Sequence, residues 1–318
     1  MAGGLISRLG VMAADATRGA WFLPSGAASH YYRGVLYSSG KEYDKAIDAF
    51  NEAIRRNPAF AVAYKDRGVA YQARRECGLA LADAQRVLNF ARTDRQLRKW
   101  APLLHCNRGI SFKLLGEFER ALAEFGRALA RDPRYADAYA ERGALHQAEG
   151  RAERAMSDFN AALGLKPGHA RALRSRGKWY FYVGDFPSAI NDLRRSLSRE
   201  PEAYAALFLF LAQARAGQRA AAAARLRRHA SLFRGAAWPR PIFDLLLGRA
   251  SFDAAMLNSS TPGERGEAAF YIGQMHLLAN DEHAARDCFQ RTLAYCTPIY
   301  AEYTGARAEL GRLALPAS

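Results

Sequence analysis

Small and apolar residues recur along this chain with a period of 34 residues. In each unit an Arg-Gly pair comes first, an alanine follows twelve residues after the glycine, and most units end in proline. The in-register Arg-Gly pairs are at 33–34, 67–68, 108–109, 142–143 and 176–177. Two apolar stripes of helical spacing, separated by a turn, predict a helix hairpin in each unit. A single hairpin cannot bury its apolar face, so successive hairpins are expected to stack.

The repeat predicts a sequence of units. A loosely ordered leader is expected at 1–26, and five regular units at 27–60, 61–94, 102–135, 136–169 and 170–203, which together span 27–203. The insertion at 95–101 is expected to lengthen the first helix of the third unit, with a kink near Pro102.

The period weakens after residue 203. Residues 204–236 are predicted to be a degenerate unit, and 237–265 a connector with two short helices, the second capped by Ser251 with Asp253 in its first turn. Residues 266–318 are predicted to hold a seventh unit and a C-terminal capping helix at about 298–313.

The spacing of the repeated residues resembles the tetratricopeptide repeat (TPR), although arginine replaces the usual leucine before glycine. This resemblance implies an all-α fold, a right-handed superhelical α-solenoid of TPR hairpins with a C-terminal capping helix. The segments "WPRP", "LLLGRASFDAAML" and "AEYTGARAEL" make the C-terminal part similar to NlpI-type bacterial TPR proteins. That resemblance implies an envelope adaptor that brings proteases and cell-wall hydrolases together. The lipid-attachment cysteine of the anchored members is missing.

The composition favours an ordered, basic protein. The net charge of +15 fits either an arginine-rich codon bias or attraction to an anionic partner. None of the four cysteines forms a CxxC pair, so free thiols and no metal site are expected. No apolar run is long enough to span a membrane. The weak secretory pattern at the N-terminus favours a cytoplasmic over a periplasmic location.

The sequence gives no sign of catalysis. It contains no GxSxG, P-loop, GxGxxG or HExxH motif, and its seven histidines are scattered. We therefore expect no enzymatic activity, no catalytic residue and no cofactor.

The repeated arginine is predicted to be structural. In an antiparallel hairpin that turns near position 15 of the unit, position 7 lies opposite position 23. The arginine at position 7 faces an acid in units two to five, and units six and seven lack both charges. The predicted pairs are Arg67 with Asp83, Arg108 with Glu124, Arg142 with Asp158, and Arg176 with Asp192. Because the two charges occur together, an ion pair within each hairpin is favoured over a repeated ligand site.

Partner binding is expected on the concave face that the first helices line. The best candidate is a strip on one face of the fifth unit, formed by Arg171, Arg174, Lys178 and Tyr182. It would bind an acidic or C-terminal segment of a protein partner, with Tyr182 as an aromatic contact. The alternative is that the cations pair with Asp137 and Glu141 of the preceding unit.

Two further interactions are considered. The second helix of the sixth unit has Arg225, Arg227 and Arg228, and only Asp244 is acidic between residues 204 and 250. A convex basic patch there would be a solvated surface or a site for nucleic acid or an anionic membrane, but no RNA-binding motif supports nucleic acid. A homodimer through the N-terminal units is also considered. The resulting hypothesis is a non-enzymatic adaptor, and the alternative is a basic solenoid that binds nucleic acid or an anionic membrane.

Overall fold

The computed structural model describes residues 26–233, 238–298 and 300–314. Within these ranges the regular structure is entirely helical, as the repeat predicts. The helices are α1 (Ala27–Ser39), α2 (Tyr43–Arg56), α3 (Ala61–Ala73), α4 (Cys77–Thr93), α5 (Ala101–Leu114), α6 (Phe118–Arg131), α7 (Ala136–Ala148), α8 (Ala152–Leu165), α9 (Ala170–Val183), α10 (Phe186–Leu197), α11 (Ala203–Arg215), α12 (Arg219–Ala230), α13 (Arg240–Leu246), α14 (Phe252–Leu257), α15 (Pro262–Leu278), α16 (Glu282–Tyr295) and α17 (Ala301–Leu313).

The chain forms two compact units. The first ends at Ser111 and contains the hairpins α1–α2 and α3–α4, and the second begins at Phe112 and contains α6 to α17. Within the second unit, the helices from α9 onward share a core that extends from Phe181 to Ala306, and α7, α8 and the start of α9 form a separate small core. The predicted all-α class of tandem hairpins is confirmed.

The hairpin turns have a common backbone conformation at position 15 of the unit. Gly116, Gly150 and Gly184 have positive φ values there, which glycine adopts at little cost. Arg75 has the same conformation at φ 60° in the second hairpin, where a side chain adds steric strain.

The close packing of the two helices of a hairpin depends on the repeated glycine. A Cβ at Gly143 would lie 2.8 Å from the ring of Phe159, which is fully buried. The aromatic residue of the second helix therefore fills the space that glycine leaves on the first helix.

The insertion at 95–101 differs from the prediction. Residues Leu97–Trp100 form a separate 3₁₀ turn, and α5 begins at Ala101 instead of being lengthened. Pro102 lies in the first turn of α5, where a backbone N–H has no partner within the helix, so proline is tolerated.

The C-terminal region follows the prediction more closely. The connector forms the two short helices α13 and α14, and the Ser251 side chain accepts a hydrogen bond from the Ala254 amide as the cap of α14. The next helix, α15, begins four residues before the predicted unit, because Thr261 and Glu264 form a capping box. The predicted leader at 1–26 lies outside the described residues except for Gly26, and residues 234–237 and 315–318 also lie outside them.

Candidate functional site on the inner face

The repeated arginine joins the two helices of its hairpin. Arg142 donates from Nε and Nη2 to the carboxylate of Asp158, at 2.8 and 2.7 Å. Bidentate contacts of the same kind join Arg67 to Asp83 at 2.8 and 2.6 Å, and Arg176 to Asp192 at 2.7 and 3.1 Å. The hydrogen bond to Asp158 raises the pKa of the Arg142 guanidinium, so this arginine stays charged. The guanidinium also stacks over Tyr139, 5.5 Å from the ring centroid.

A second contact of this arginine was not foreseen. Arg67 donates from Nη1 to the amide oxygen of Asn51 at 2.6 Å, and Arg176 donates in the same way to Asn160 at 2.7 Å. Both asparagines are on the second helix of the preceding repeat, at position 25. Since the arginine contacts its own hairpin and the preceding one, it also joins neighbouring repeats. A polar amide recurring at position 25 was the sequence signal.

The hairpins differ in this second contact. Arg108 donates to Gln85, which is also at position 25, at 3.1 Å. The corresponding residue before Arg142 is Gly126, which has no side chain to accept the bond. The predicted pair of Arg108 with Glu124 stays a prediction.

The cationic strip on α9 is not one continuous surface. Arg171 is 48% exposed and its side chain contacts the carboxylate of Glu141 on α7, which is 2% exposed. Lys113 also donates to Glu141, at 2.5 Å. Asp137 accepts a hydrogen bond from His169 at 3.1 Å, and this bond lowers the pKa of Asp137. The alternative expected from sequence is therefore present at Glu141, whereas the main partner of Asp137 is a histidine.

Two buried donors on α7 and α9 have no hydrogen-bond partner among the described residues. Arg174 approaches the Glu202 carboxylate only to 3.8 Å, and its Nη1 is buried with no hydrogen-bond partner among the described residues. The amide nitrogen of Gln147, on the neighbouring helix α7, is in the same situation. Leaving such groups unpaired costs free energy.

The prediction that Tyr182 provides an open aromatic contact is wrong. Tyr182 is 7% exposed because α17 covers it. Its hydroxyl donates to the backbone oxygen of Ala301 at 2.8 Å, and its own backbone oxygen accepts from Arg312 at 2.9 Å. The ring also lies against Gly305, where a Cβ would be 3.2 Å from it.

Lys178 also points into the interior. Its Nζ lies 4.9 Å from the centroid of the Phe208 ring and 5.9 Å from that of Tyr204. Burial lowers the pKa of Lys178, and the nearby Glu202 and Glu302 partly oppose this shift. Lys178 therefore belongs to a charged cluster under α17 and not to the exposed part of the strip.

Two carboxylates of α17 are held by first helices. Glu302 is buried and accepts a hydrogen bond from the Tyr271 hydroxyl on α15 at 3.0 Å. Glu309 is also buried, and accepts from Gln274 on α15 at 2.9 Å and from Arg215 on α11 at 3.1 Å. We call the side of α7, α9, α11 and α15 that contacts α17 the inner face.

A third buried carboxylate lies at this cluster. Glu267 accepts from the Trp238 indole at 2.7 Å and from the Tyr204 hydroxyl at 2.9 Å. Burial, together with the charge of Glu302, raises the pKa of Glu267 to about 7. Because the folded chain holds this proton more tightly than the unfolded chain does, protonation stabilises the fold at low pH, and the stabilisation is lost as the pH rises from about 4.5 to about 7.

The predicted convex patch is on α12. Arg227 and Arg228 are exposed, and Arg225 is partly buried with no hydrogen-bond partner for its Nε among the described residues. Burial, and then the charges of Arg194 and Arg228, lower the pKa of Arg225. The patch is separate from the inner-face cluster, because α12 is the second helix of its hairpin.

The described residues give no group of three or more His, Cys, Asp or Glu side chains arranged to hold a metal ion. The four cysteines are free thiols. No helix in the described ranges is long and apolar enough to cross a membrane.

Several inner-face residues were missed from the sequence. Arg215 and Gln274 occupy groove positions 12 and 9 of their units, which gave a usable signal. Glu302 and Glu309 were missed because the closing helix was considered only as a cap. Their spacing of seven residues, which places both on one helical face, was the available signal.

Comparison with known proteins agrees with the hairpin geometry. Two models of the tetratricopeptide repeat match residues 27–60 and 106–170. Human serine/threonine-protein phosphatase 5 is 34% identical over 103 residues, which are 32% of this chain and 19% of the phosphatase. Mouse tetratricopeptide repeat protein 28 is 33% identical over 95 residues, which are 29% of this chain and 4% of that protein. The chain therefore spans less than a fifth of the length of these relatives.

A solved structure supports the fold. The crystal structure of TTC0263, a thermophilic TPR protein of Thermus thermophilus, has a TM-score of 0.50 and 19% sequence identity, and the similarity covers 64% of this chain and 100% of that one. The repeat models, the hairpins and this similarity together show that the chain contains tetratricopeptide repeats within an all-helical fold.

Proposed function

We propose that this chain is a non-enzymatic adaptor that binds a segment of a protein partner on its inner face. TPR proteins commonly mediate protein or peptide binding and the assembly of complexes, which supports the general role. The C-terminal arrangement of WPRP segment, connector and closing helix favours an NlpI-type adaptor among TPR proteins. The phosphatase activity in the name of one relative is not proposed here, because the chain spans 19% of that protein.

The observation that supports this function best is the pair of arginines Arg171 and Arg174, which lie three residues apart on one face of α9. The Arg174 side chain is 18% exposed, and the Glu202 carboxylate approaches it only to 3.8 Å. A carboxylate of a bound segment would accept hydrogen bonds from the exposed guanidinium nitrogens of these arginines. An acidic or C-terminal segment is favoured because a carboxylate makes the stronger bond to a guanidinium.

The exposed part of the strip supports the same ligand. Arg171 is half exposed, and its contact with Glu141 holds its guanidinium against α7. An incoming carboxylate would compete with Glu141 for Arg171. Since Lys113 also contacts Glu141, this buried acid would keep a cationic partner during the exchange.

Fewer observations support the dimer and the nucleic-acid or membrane alternative. Exposed Tyr32 and Leu36, four residues apart on α1, are compatible with a dimer through the N-terminal hairpins. The alternative of a basic solenoid that binds nucleic acid or an anionic membrane depends on charge alone, and we favour the adaptor.

The test is quantitative affinity capture with the full chain and a double variant, Arg171→Glu with Arg174→Glu. The matched control is Arg154→Glu, an exposed arginine on α8, the second helix of the fourth hairpin. The proposal predicts a set of proteins that the wild type and the control capture and the double variant loses. The same captured set for all three chains would contradict it.

A further inference from the structure

The C-terminal helix α17 lies where a TPR ligand would lie. It packs most extensively on α16, the second helix of the last hairpin, and it also contacts α7, α9 and α15, which are first helices of their hairpins. The groups that hold it are at groove positions of the repeats: Tyr182 on α9, Arg215 on α11 and Gln274 on α15. The chain thus binds one of its own helices on the inner face.

The recognition of α17 uses one side of that helix. Glu302, Gly305 and Glu309 are spaced by three and four residues, so they share one face of the helix. The glycine allows close contact, since a Cβ at Gly305 would lie 2.7 Å from the Phe270 ring. The two acids flank this point of contact, and both are almost completely buried.

The inner face complements this pattern in charge and in hydrogen bonding. Arg215 and Gln274 donate to Glu309 at 3.1 and 2.9 Å. Tyr271 donates to Glu302 at 3.0 Å, and Lys178 supplies the nearby positive charge that acts on Glu302. A helix with neutral or basic residues at these two places would leave the donors and cations of the inner face unpaired.

We propose that the inner face is a receptor for acidic helices of the pattern Glu-x-x-Gly-x-x-x-Glu, of which α17 is the resident copy. The inference rests on the proposed adaptor function and names the kind of partner segment. A partner helix with this pattern replaces α17 on α9, α11 and α15.

A nicked full chain tests this inference. A protease site placed after Thr297 allows α17 to be cut from the folded chain without altering any helix. The probe is a fluorescent peptide of residues 300–314. The control peptide is the same sequence with Glu302→Lys and Glu309→Lys. Exchange is followed by fluorescence anisotropy and by mass spectrometry of the released helix.

We expect the wild-type peptide to replace the nicked helix, and the control peptide to bind at least about 100-fold more weakly, because each lost charged hydrogen bond costs about tenfold or more. A host with Arg215→Glu should also bind the wild-type peptide about tenfold or more weakly. A host with Arg219→Glu, an exposed arginine of the same repeat, should bind it normally.

Three outcomes would overturn the inference: equal binding of the two peptides, no exchange of the nicked helix within a day, or unchanged binding by the Arg215→Glu host. An uncut chain with Glu302→Gln and Glu309→Gln provides a second host if the nick unfolds the protein, and failure of the wild-type peptide to bind this host would count in the same way. If exchange fails while capture still depends on Arg171 and Arg174, only the acidic-helix inference falls. If capture is independent of those arginines while exchange succeeds, the adaptor proposal falls instead.

Discussion

Arg142→Ala is expected to destabilise the fourth hairpin without affecting partner binding. The substitution removes two charged hydrogen bonds to Asp158, whose side chain is only 7% exposed. Loss of one partner from a buried pair costs about 3–5 kcal/mol. Because the Arg142 side chain is 28% exposed, solvent screening reduces this cost, and we expect about 2–3 kcal/mol.

The assay is thermal unfolding followed by circular dichroism, together with a double-mutant cycle. For a unit of about 200 residues, each kcal/mol shifts the midpoint by about 2–4 °C, so Arg142→Ala should lower it by about 5–10 °C. In the cycle, Asp158→Ala should cost less in the absence of Arg142 than in its presence, since the two residues stabilise each other. Arg154→Ala is the control, because Arg154 is an exposed arginine on α8 of the same hairpin.

Either of two results would refute this reasoning. If Arg142→Ala changed the midpoint no more than Arg154→Ala did, the ion pair would not stabilise the hairpin. If Arg142→Ala also abolished partner capture while the midpoint stayed unchanged, the repeated arginine would be a ligand site.

Four other substitutions test three separate features. Glu267→Gln should stabilise the chain relative to wild type at pH 8 by about 1–3 kcal/mol and have little effect at pH 5, because the raised pKa of Glu267 penalises the charged form. Denaturant unfolding at both pH values measures this difference in stability. A difference that does not depend on pH would contradict the raised pKa of Glu267. Gly126→Asn should raise the unfolding midpoint by providing the missing acceptor for Arg142, and this gain should exceed that of Gly126→Asn in an Arg142→Ala background. Arg75→Gly should stabilise its turn by about 1 kcal/mol, and Gly116→Ala should destabilise the equivalent turn by a similar amount. Unfolding midpoints measure both effects. A loss of stability in Arg75→Gly would show that the contacts of the arginine side chain outweigh the backbone strain.

The hairpins and the arginine pairs were predictable because they repeat. A position that recurs every 34 residues samples the same environment several times, so the joint loss of Arg and acid in the later units indicated a direct contact. The pair of Arg142 with Asp158 could therefore be placed from the sequence alone. The additional contact of Arg67 with Asn51 recurs at Arg108 and Arg176 but not at Arg142. It links different repeats, and the opposing-position rule applies only within one hairpin.

The inner face was harder to predict because it depends on a contact that occurs once. The sequence placed Lys178 and Tyr182 on one face of a helix, and that placement is correct. Their burial results from α17, which is separated from Tyr182 by more than a hundred residues and has no counterpart in the repeat. Periodicity therefore identified the groove positions and gave no information on what covers them.

The location of partner contact tests the central claim most directly. A photo-reactive amino acid placed at position 174, on the inner face, and at position 154, on α8, would report which surface the partner touches. The proposed adaptor function predicts a cross-linked partner from position 174 and none from position 154. Cross-links from position 154 alone, or equal cross-linking from both positions, would contradict binding at the inner face.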